Sequence, residues 1–407
     1  MRARWLCLAA FVALVPAVAG CGGVGVASET LGNQLTVYSS LPLQGPAAAI
    51  SQEIVDGERL ALAQAGGHIG PLKVGYVSLD DANPKTGALD PSATSTDAKT
   101  AAQDTTTIAY LGELGSEATA VSLPLINAAG ILQVSPGSPY IGLTSSLDAG
   151  QDEPQRFYPS GKRTFGRLTL GDRAQSIAQA KLMRSLGVQQ LYVLDDQNPF
   201  QAPLAQLVVT QAERAGIGVA AHDSIVATPG SVFTGEIEKI KHSKAQAVFF
   251  AGGDGTGTVA LWRALHRADP RLLLSGSSAL DTPAFAAAIG PAEASTYLTT
   301  PLLALDQYPR AAARALHDYR RQFGGQPGAY ALYGFEAMSV VLDAIRAAGS
   351  RGNERQAVID SFFATANRDS VLGRYSVQPD GEITLSRYGV DRVVGGRAQF
   401  LRALDIR

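Results

Sequence analysis

Cysteine is almost missing from this chain: two residues, Cys7 and Cys21, in 407. Cys7 lies in an amino-terminal segment that reads as a removable export signal, so the mature protein keeps one thiol and no intrachain disulfide is possible. Its stability has to come from core burial. An excess of charge of either sign is missing as well. With 34 Lys and Arg against 36 Asp and Glu, the formal net charge is −2, which argues against a nucleic-acid partner or a basic membrane-binding face. The five histidines, His68, His222, His242, His266 and His317, are widely spaced, with no H-x-x-x-H pair and no cysteine partner, so no metal site is signalled. A G-x-S-x-G elbow is also absent, which leaves hydrolase chemistry without its usual sequence sign. Neither catalysis nor a cofactor is expected.

What is present begins with "MRARWLCLAAFVALVPAVAGCGG". Arg2 and Arg4 precede an apolar run of roughly 14 residues, shorter than the ~20 that span a bilayer, and small residues follow. Residues 1–20 are therefore read as a signal peptide. Its end, Val18-Ala19-Gly20-Cys21, resembles the lipobox of bacterial lipoproteins, which implies a lipidated Cys21 and a membrane-anchored, exported protein; an ordinary secretory signal is the alternative. Residues 21–33 read as a flexible tether.

From residue 34 on, strand-like apolar runs alternate with segments of helical period. "LTVYSSL" precedes Ala47, Ile50, Ile54, Gly57 and Ala61 on one helix face, and Asp90-Pro91 reads as the cap and first turn of another helix. Further strand and helix pairs follow: "TIAYLG" with a helix from Ser116, "TFGRLTL" with a helix capped by Asp172, "LYVLD" with Leu204, Leu207 and Val208, and "AVFFAG" with Val259, Trp262 and Leu265. Such alternation predicts an α/β protein with parallel sheets covered on both faces, and its length suits two lobes better than one. Residues 309–349 read as helical, with Pro327 opening the longer helix. Turns at Asp380-Gly381 and Gly395-Gly396 mark terminal edge strands.

"SLPLQGP", "YVSLDDANPKTG", "AYLGELGSEATAVSLPLINAAGILQVSP", "YPSGKRTFGRLTLGD", "LYVLDDQNPF" and "LGRYSVQPDGEI" resemble, in order and spacing, the type I periplasmic binding proteins for leucine, isoleucine and valine. The resemblance covers about residues 34–400. It implies two doubly wound parallel-sheet lobes joined by three crossovers, near residues 163, 299 and 371, with a ligand trapped between the lobes. Lobe one would be 34–163 with 300–370, and lobe two 164–299 with 371–407. It further implies an ABC importer component that partners a permease and its ATPases, and a monomer is expected. A ligand-sensing receptor on the same fold remains open, as does a cleft that no longer binds a small molecule.

An amino acid needs donors for its carboxylate and an acceptor for its ammonium. Ser116 matches the family's carboxylate-binding serine, although a serine there also suits a helix cap. Gly137, Ser138 and Pro139 match the segment that binds both ends of the ligand; Pro139 stands where a hydroxyl residue is usual, unless Ser138 supplies the hydroxyl. The family's ammonium-binding acid corresponds to Ser278, which carries no charge. Burying an ammonium without a charged partner costs several kcal/mol, so either another acid moves in or the ligand lacks an amine. In "AGGDGTGT" no lysine follows the glycines and the G-x-G-x-x-G spacing is missing, so a phosphate loop is not indicated. Asp254 in that loop is one candidate for the ammonium, or a mere cap of the next helix, and Asp281 is a second. Ile50 and Phe200 are candidates for the apolar pocket. The expected ligand is an amino acid with an apolar side chain, or else an amide or a carboxylate.

Overall fold

The computed structural model describes residues 32–147 and 149–407. The expected signal peptide, most of the tether and the lipidation site Cys21 lie outside these residues.

Strand β1 (Gln34–Leu41) is buried at every residue after its first, as an interior strand covered by helices on both faces must be. It lies at the centre of a sheet with β2 (His68–Ile69), β3 (Leu72–Asp80), β4 (Thr107–Leu111), β5 (Leu132–Ser135) and β6 (Phe165–Arg167), in the order β2-β3-β1-β4-β5-β6. All its pairings are parallel except that of the short β2. Between these strands run α1 (Ala48–Gln64), α2 (Pro91–Gln103) and α3 (Ser116–Ala128). Asp90 caps α2 as expected, accepting from the Ser92 and Ala93 N–H groups at 2.9 and 3.4 Å.

The second sheet is built from β7 (Gln190–Asp195), β8 (Gly218–Ser224), β9 (Ala247–Ala251), β10 (Leu273–Gly276) and β11 (Thr296–Thr300), which alternate with α4 (Asp172–Ser185), α5 (Ala202–Arg214), α6 (Thr234–Ser243), α7 (Thr256–Ala268) and α8 (Pro283–Ala288). After α9 (Arg310–Phe323), α10 (Tyr330–Ala347), α11 (Arg355–Phe363) and the small hairpin β12 (Arg368–Asp369) and β13 (Arg374–Tyr375), the chain returns as β14 (Arg387–Val394) and β15 (Arg397–Asp405). The order is β15-β14-β11-β10-β9-β7-β8, with β14 and β15 added antiparallel at one end and β15 at the edge. The two sheets and their helices form the two lobes.

Helices α9 to α11 come back to the first lobe. There α10 crosses α1 so closely that a Cβ on Gly57 would lie 2.2 Å from the Ala331 carbonyl oxygen, and one on Gly334 would lie 2.0 Å from that of Ile54. Only glycine permits that approach. In the second lobe Trp262 of α7 anchors the core, edge-on to Phe250 and Phe285 with centroids 5.8 and 5.3 Å apart.

Four expectations are corrected by this arrangement. Phe165–Arg167 pairs with β5 in the first sheet, so the first crossover follows Arg167 rather than falling near 163. Val371, Leu372, Tyr375, Val377 and Ile383 pack into the first lobe's core, which moves the last crossover well beyond 371, toward the start of β14. The second crossover follows Thr300, next to the expected 299. Asp172 does not cap α4: its carboxylate accepts from the Ile141 N–H at 2.9 Å, tying the helix to the other lobe's loop. Pro327 stands before α10, three residues outside it.

Candidate functional site

The strands of both lobes end at a common cleft, where the helix that follows each strand offers its amino terminus. A cavity of about 230 Å³ lies there, walled by both lobes and by two of the crossovers. Helix α3 contributes Ser116 at its first position. Ser116 is not the cap of that helix: Gly115 precedes it in extended conformation and no side chain caps the turn. The Ser116 hydroxyl instead accepts from the Tyr140 N–H at 3.1 Å, which leaves its own proton free to donate into the cavity, beside first-turn N–H groups that have no helical acceptor.

The loop after β5 supplies Gly137 and Pro139 to the wall. Gly137 allows contact with the preceding loop, since a Cβ there would stand 2.6 Å from the Leu114 carbonyl oxygen. Ser138, expected to offer a hydroxyl, is fully buried and faces away. Its Oγ is 2.6 Å from Thr119 Oγ1 and donates to the Glu113 carbonyl at 3.1 Å. Ser138 holds the loop from behind.

The second lobe supplies Phe200, Ser278 and Asp281. Phe200 meets Tyr140 of the first lobe edge-to-face, with centroids 5.1 Å apart at 75°. Ser278 donates to Gln175 Oε1 at a long 3.4 Å. Asp281 is half-buried in the wall; burial pushes its carboxyl above the usual carboxylate range, and a hydrogen bond from Thr300 works against that rise.

Asp254 and Ile50 are not brought to this wall. Asp254 is exposed in its loop and accepts from Thr282 Oγ1 at 2.7 Å. The glycines around it serve packing: a Cβ on Gly257 would fall 2.0 Å from the Ala227 carbonyl oxygen. Ile50 packs with Leu41, Ile54 and Val55 under the first lobe's surface.

Several wall residues escaped the sequence reading, two tyrosines among them. Tyr330 and Tyr333, one helical turn apart at the start of α10, face the cavity with centroids 6.2 Å apart, and Tyr333 donates to the Pro301 carbonyl at 3.1 Å. Burial, then the neighbouring Asp281 charge, raise the Tyr330 hydroxyl above its ordinary value, so it stays protonated and able to donate. A pair of tyrosines at this spacing on an apolar face also describes ordinary core, which is why the pattern carried no signal. Thr169 reaches the cavity from the first crossover and Thr300 from the end of β11, places that only the three-dimensional path of the chain reveals.

A hinge core lies behind the cleft. Arg167 of β6 is completely buried. It pairs with Glu382 through Nε at 2.9 Å, and its Nη1 donates to the Ser138 and Tyr140 carbonyls at 2.8 Å each. One guanidinium at the end of β6 thus joins the start of the first crossover to the last crossover and to the cavity-lining loop.

Among the described residues no group of acidic, histidine or cysteine side chains could hold a metal ion, and no helix is long and apolar enough to cross a membrane. A family model described as periplasmic binding protein matches residues 39–393. No curated protein matches the chain. Similar solved structures include a leucine binding protein, LivK, from Thermotoga maritima (18% identity, 91% of this chain and 99% of that one, TM-score 0.74). LivJ from Streptococcus pneumoniae in complex with isoleucine is another (16% identity, 91% and 99%, TM-score 0.70). A third is a solute binding protein of an ABC transporter from R. palustris in complex with benzoate (17% identity, 91% and 96%, TM-score 0.69). At these identities the likeness establishes the fold alone.

Proposed function

The chain belongs to the periplasmic binding protein family, and we propose that it is the extracytoplasmic solute-binding component of an ABC importer, taking a small amino acid with an apolar side chain into the interlobe cleft. The observation that supports this reading is that Ser116, at the start of α3, and Asp281, from the other lobe, line one small cavity. The ligand carboxylate takes the Ser116 hydroxyl and the free N–H groups of α3, where the helix dipole favours negative charge. Its ammonium goes to Asp281, with Tyr330 beside it, while Phe200 and Pro139 cover the apolar part. Asp281 thereby takes the place that Ser278 cannot fill, and an incoming ammonium would draw its carboxyl back to the ionised form. Delivery to a permease and its ATPases follows from the same reading, as does tethering through a lipidated Cys21.

A second reading has its own support. The burial that keeps the Asp281 carboxyl protonated to a higher pH than usual equally suits a donor to a neutral oxygen, and so a carboxylate or amide without an amine; one similar structure holds benzoate. A thermal-shift screen against apolar amino acids, their deaminated analogues and the corresponding amides separates the two. A ligand at 100 times its dissociation constant stabilises by about 2.7 kcal/mol. Stabilisation by amino acids alone supports the first reading. Stabilisation by the analogues alone replaces it with the second, and no response to any of them removes both.

A further inference from the structure

We infer that the hinge carries a second ligand site, behind the cleft, for an organic anion with an apolar body. Two adjoining cavities of about 500 and 380 Å³ lie there and share the walls formed by Leu170, Leu385 and Arg407. All three crossovers contribute: Arg167–Gly171 from the first, Pro301 to Pro309 from the second, and Gln378–Ser386 from the last. The site therefore adjoins the cleft and touches every segment that joins the lobes.

The charge lining this groove is one-sided. Arg167, Arg173, Arg374, Arg387 and Arg407 stand against two carboxylates, Asp380 and Glu382, and Glu382 is already committed to buried Arg167. Arg374 and Arg407 have loose acidic neighbours in Asp369 and Asp405, at 3.9 and 3.7 Å. Arg387 bonds only to the Gln307 carbonyl and amide oxygens, and the Arg173 guanidinium has no partner among the described residues. Guanidinium groups without acids beside an apolar floor, here Ile141, Ala174, Ile177 and Ile406, match a carboxylate with a hydrocarbon tail. A bare inorganic anion would leave that floor wet.

The groove and the cleft are one residue apart. Thr169 faces the cleft and the next residue, Leu170, faces the groove, while Pro301 and Tyr333 line both. A ligand held by all three crossovers binds one lobe angle better than another, and linkage makes that preference act on the cleft in both directions.

The test is calorimetric titration of the full chain with octanoate and, separately, with inorganic phosphate. It compares wild type, the double variant Arg173→Ala/Arg387→Ala, the single variant Arg173→Glu, and Ser116→Ala as a cleft control. We expect octanoate to bind wild type and Ser116→Ala alike, to lose about tenfold or more in both arginine variants, and to outcompete phosphate clearly. Absence of octanoate binding, loss in Ser116→Ala with retention in the arginine variants, or equal affinity for phosphate would each overturn the inference. Because octanoate binding is read without any cleft ligand, a failure of the cleft assignment leaves this result standing.

Discussion

Asn198 of the second lobe donates from Nδ2 to Glu117 Oε1 of the first at 3.0 Å, bridging the lobes at the mouth of the cleft. Glu117 lies in the first turn of α3, beside Ser116, and Asn198 lies in the loop that carries Phe200, so the bridge spans the two segments a ligand would touch.

Asn198→Ala should therefore leave the fold intact and release ligand faster. A hydrogen bond to a charged group that remains solvated is worth of order 1 kcal/mol, which corresponds to about threefold to tenfold, expressed mainly in the dissociation rate. Stopped-flow displacement measures it. An unchanged dissociation rate would mean that the bridge is incidental to closure.

Arg167→Met should destabilise the protein severely. The substitution removes the cation that pairs with Glu382, leaving it the Thr144 hydroxyl, and takes the guanidinium donor from the buried Ser138 and Tyr140 carbonyls, so a loss of about 3 kcal/mol is expected. Chemical denaturation followed by circular dichroism reads it, and a loss below about 1 kcal/mol would show that the hinge pair is dispensable.

Glu58 of α1 provides a pH signature. It is fully buried, Tyr76 donates to it at 2.6 Å, and burial pushes its carboxyl up to about 8 against an ordinary 4.5. Between those values the folded state holds a proton that the unfolded chain has released, so stability declines as pH rises through that window and is flat outside it. Glu58→Gln removes this contribution. The stability difference between pH 5 and pH 8 should thus be smaller in the variant than in wild type, and parallel curves for the two would refute the assignment.

Much of the fold was legible because parallel strands covered by helices announce themselves as apolar runs between helical periods, and Asp90-Pro91 or Gly395-Gly396 mark ends by local chemistry. The crossovers were less so. Phe165–Arg167 pairs with β5 only because the chain stays in the first sheet three residues longer, a choice made by long-range packing that leaves no local trace. In the site, Ser116, Gly137, Pro139, Phe200, Ser278 and Asp281 do share one cavity. Ser138 and Asp254 do not, for the same reason: which face of a loop a side chain takes depends on partners distant in sequence, Thr119 for the one and Thr282 for the other. Asp254→Ala is accordingly expected to leave affinity within about twofold, since an exposed residue away from the cavity contributes little; a loss above tenfold by calorimetry would return Asp254 to the site.

The most direct measurement is calorimetric titration of leucine and of 4-methylpentanoate, its analogue without the amine, into wild type and Asp281→Asn. The expected result is binding of leucine with a dissociation constant at least about tenfold below that of the analogue, and loss of that preference in Asp281→Asn, since removing the charge that meets a desolvated ammonium costs several kcal/mol. Equal or tighter binding of the analogue to wild type, undisturbed by Asp281→Asn, would contradict the assignment of Asp281 as the partner of a ligand amine.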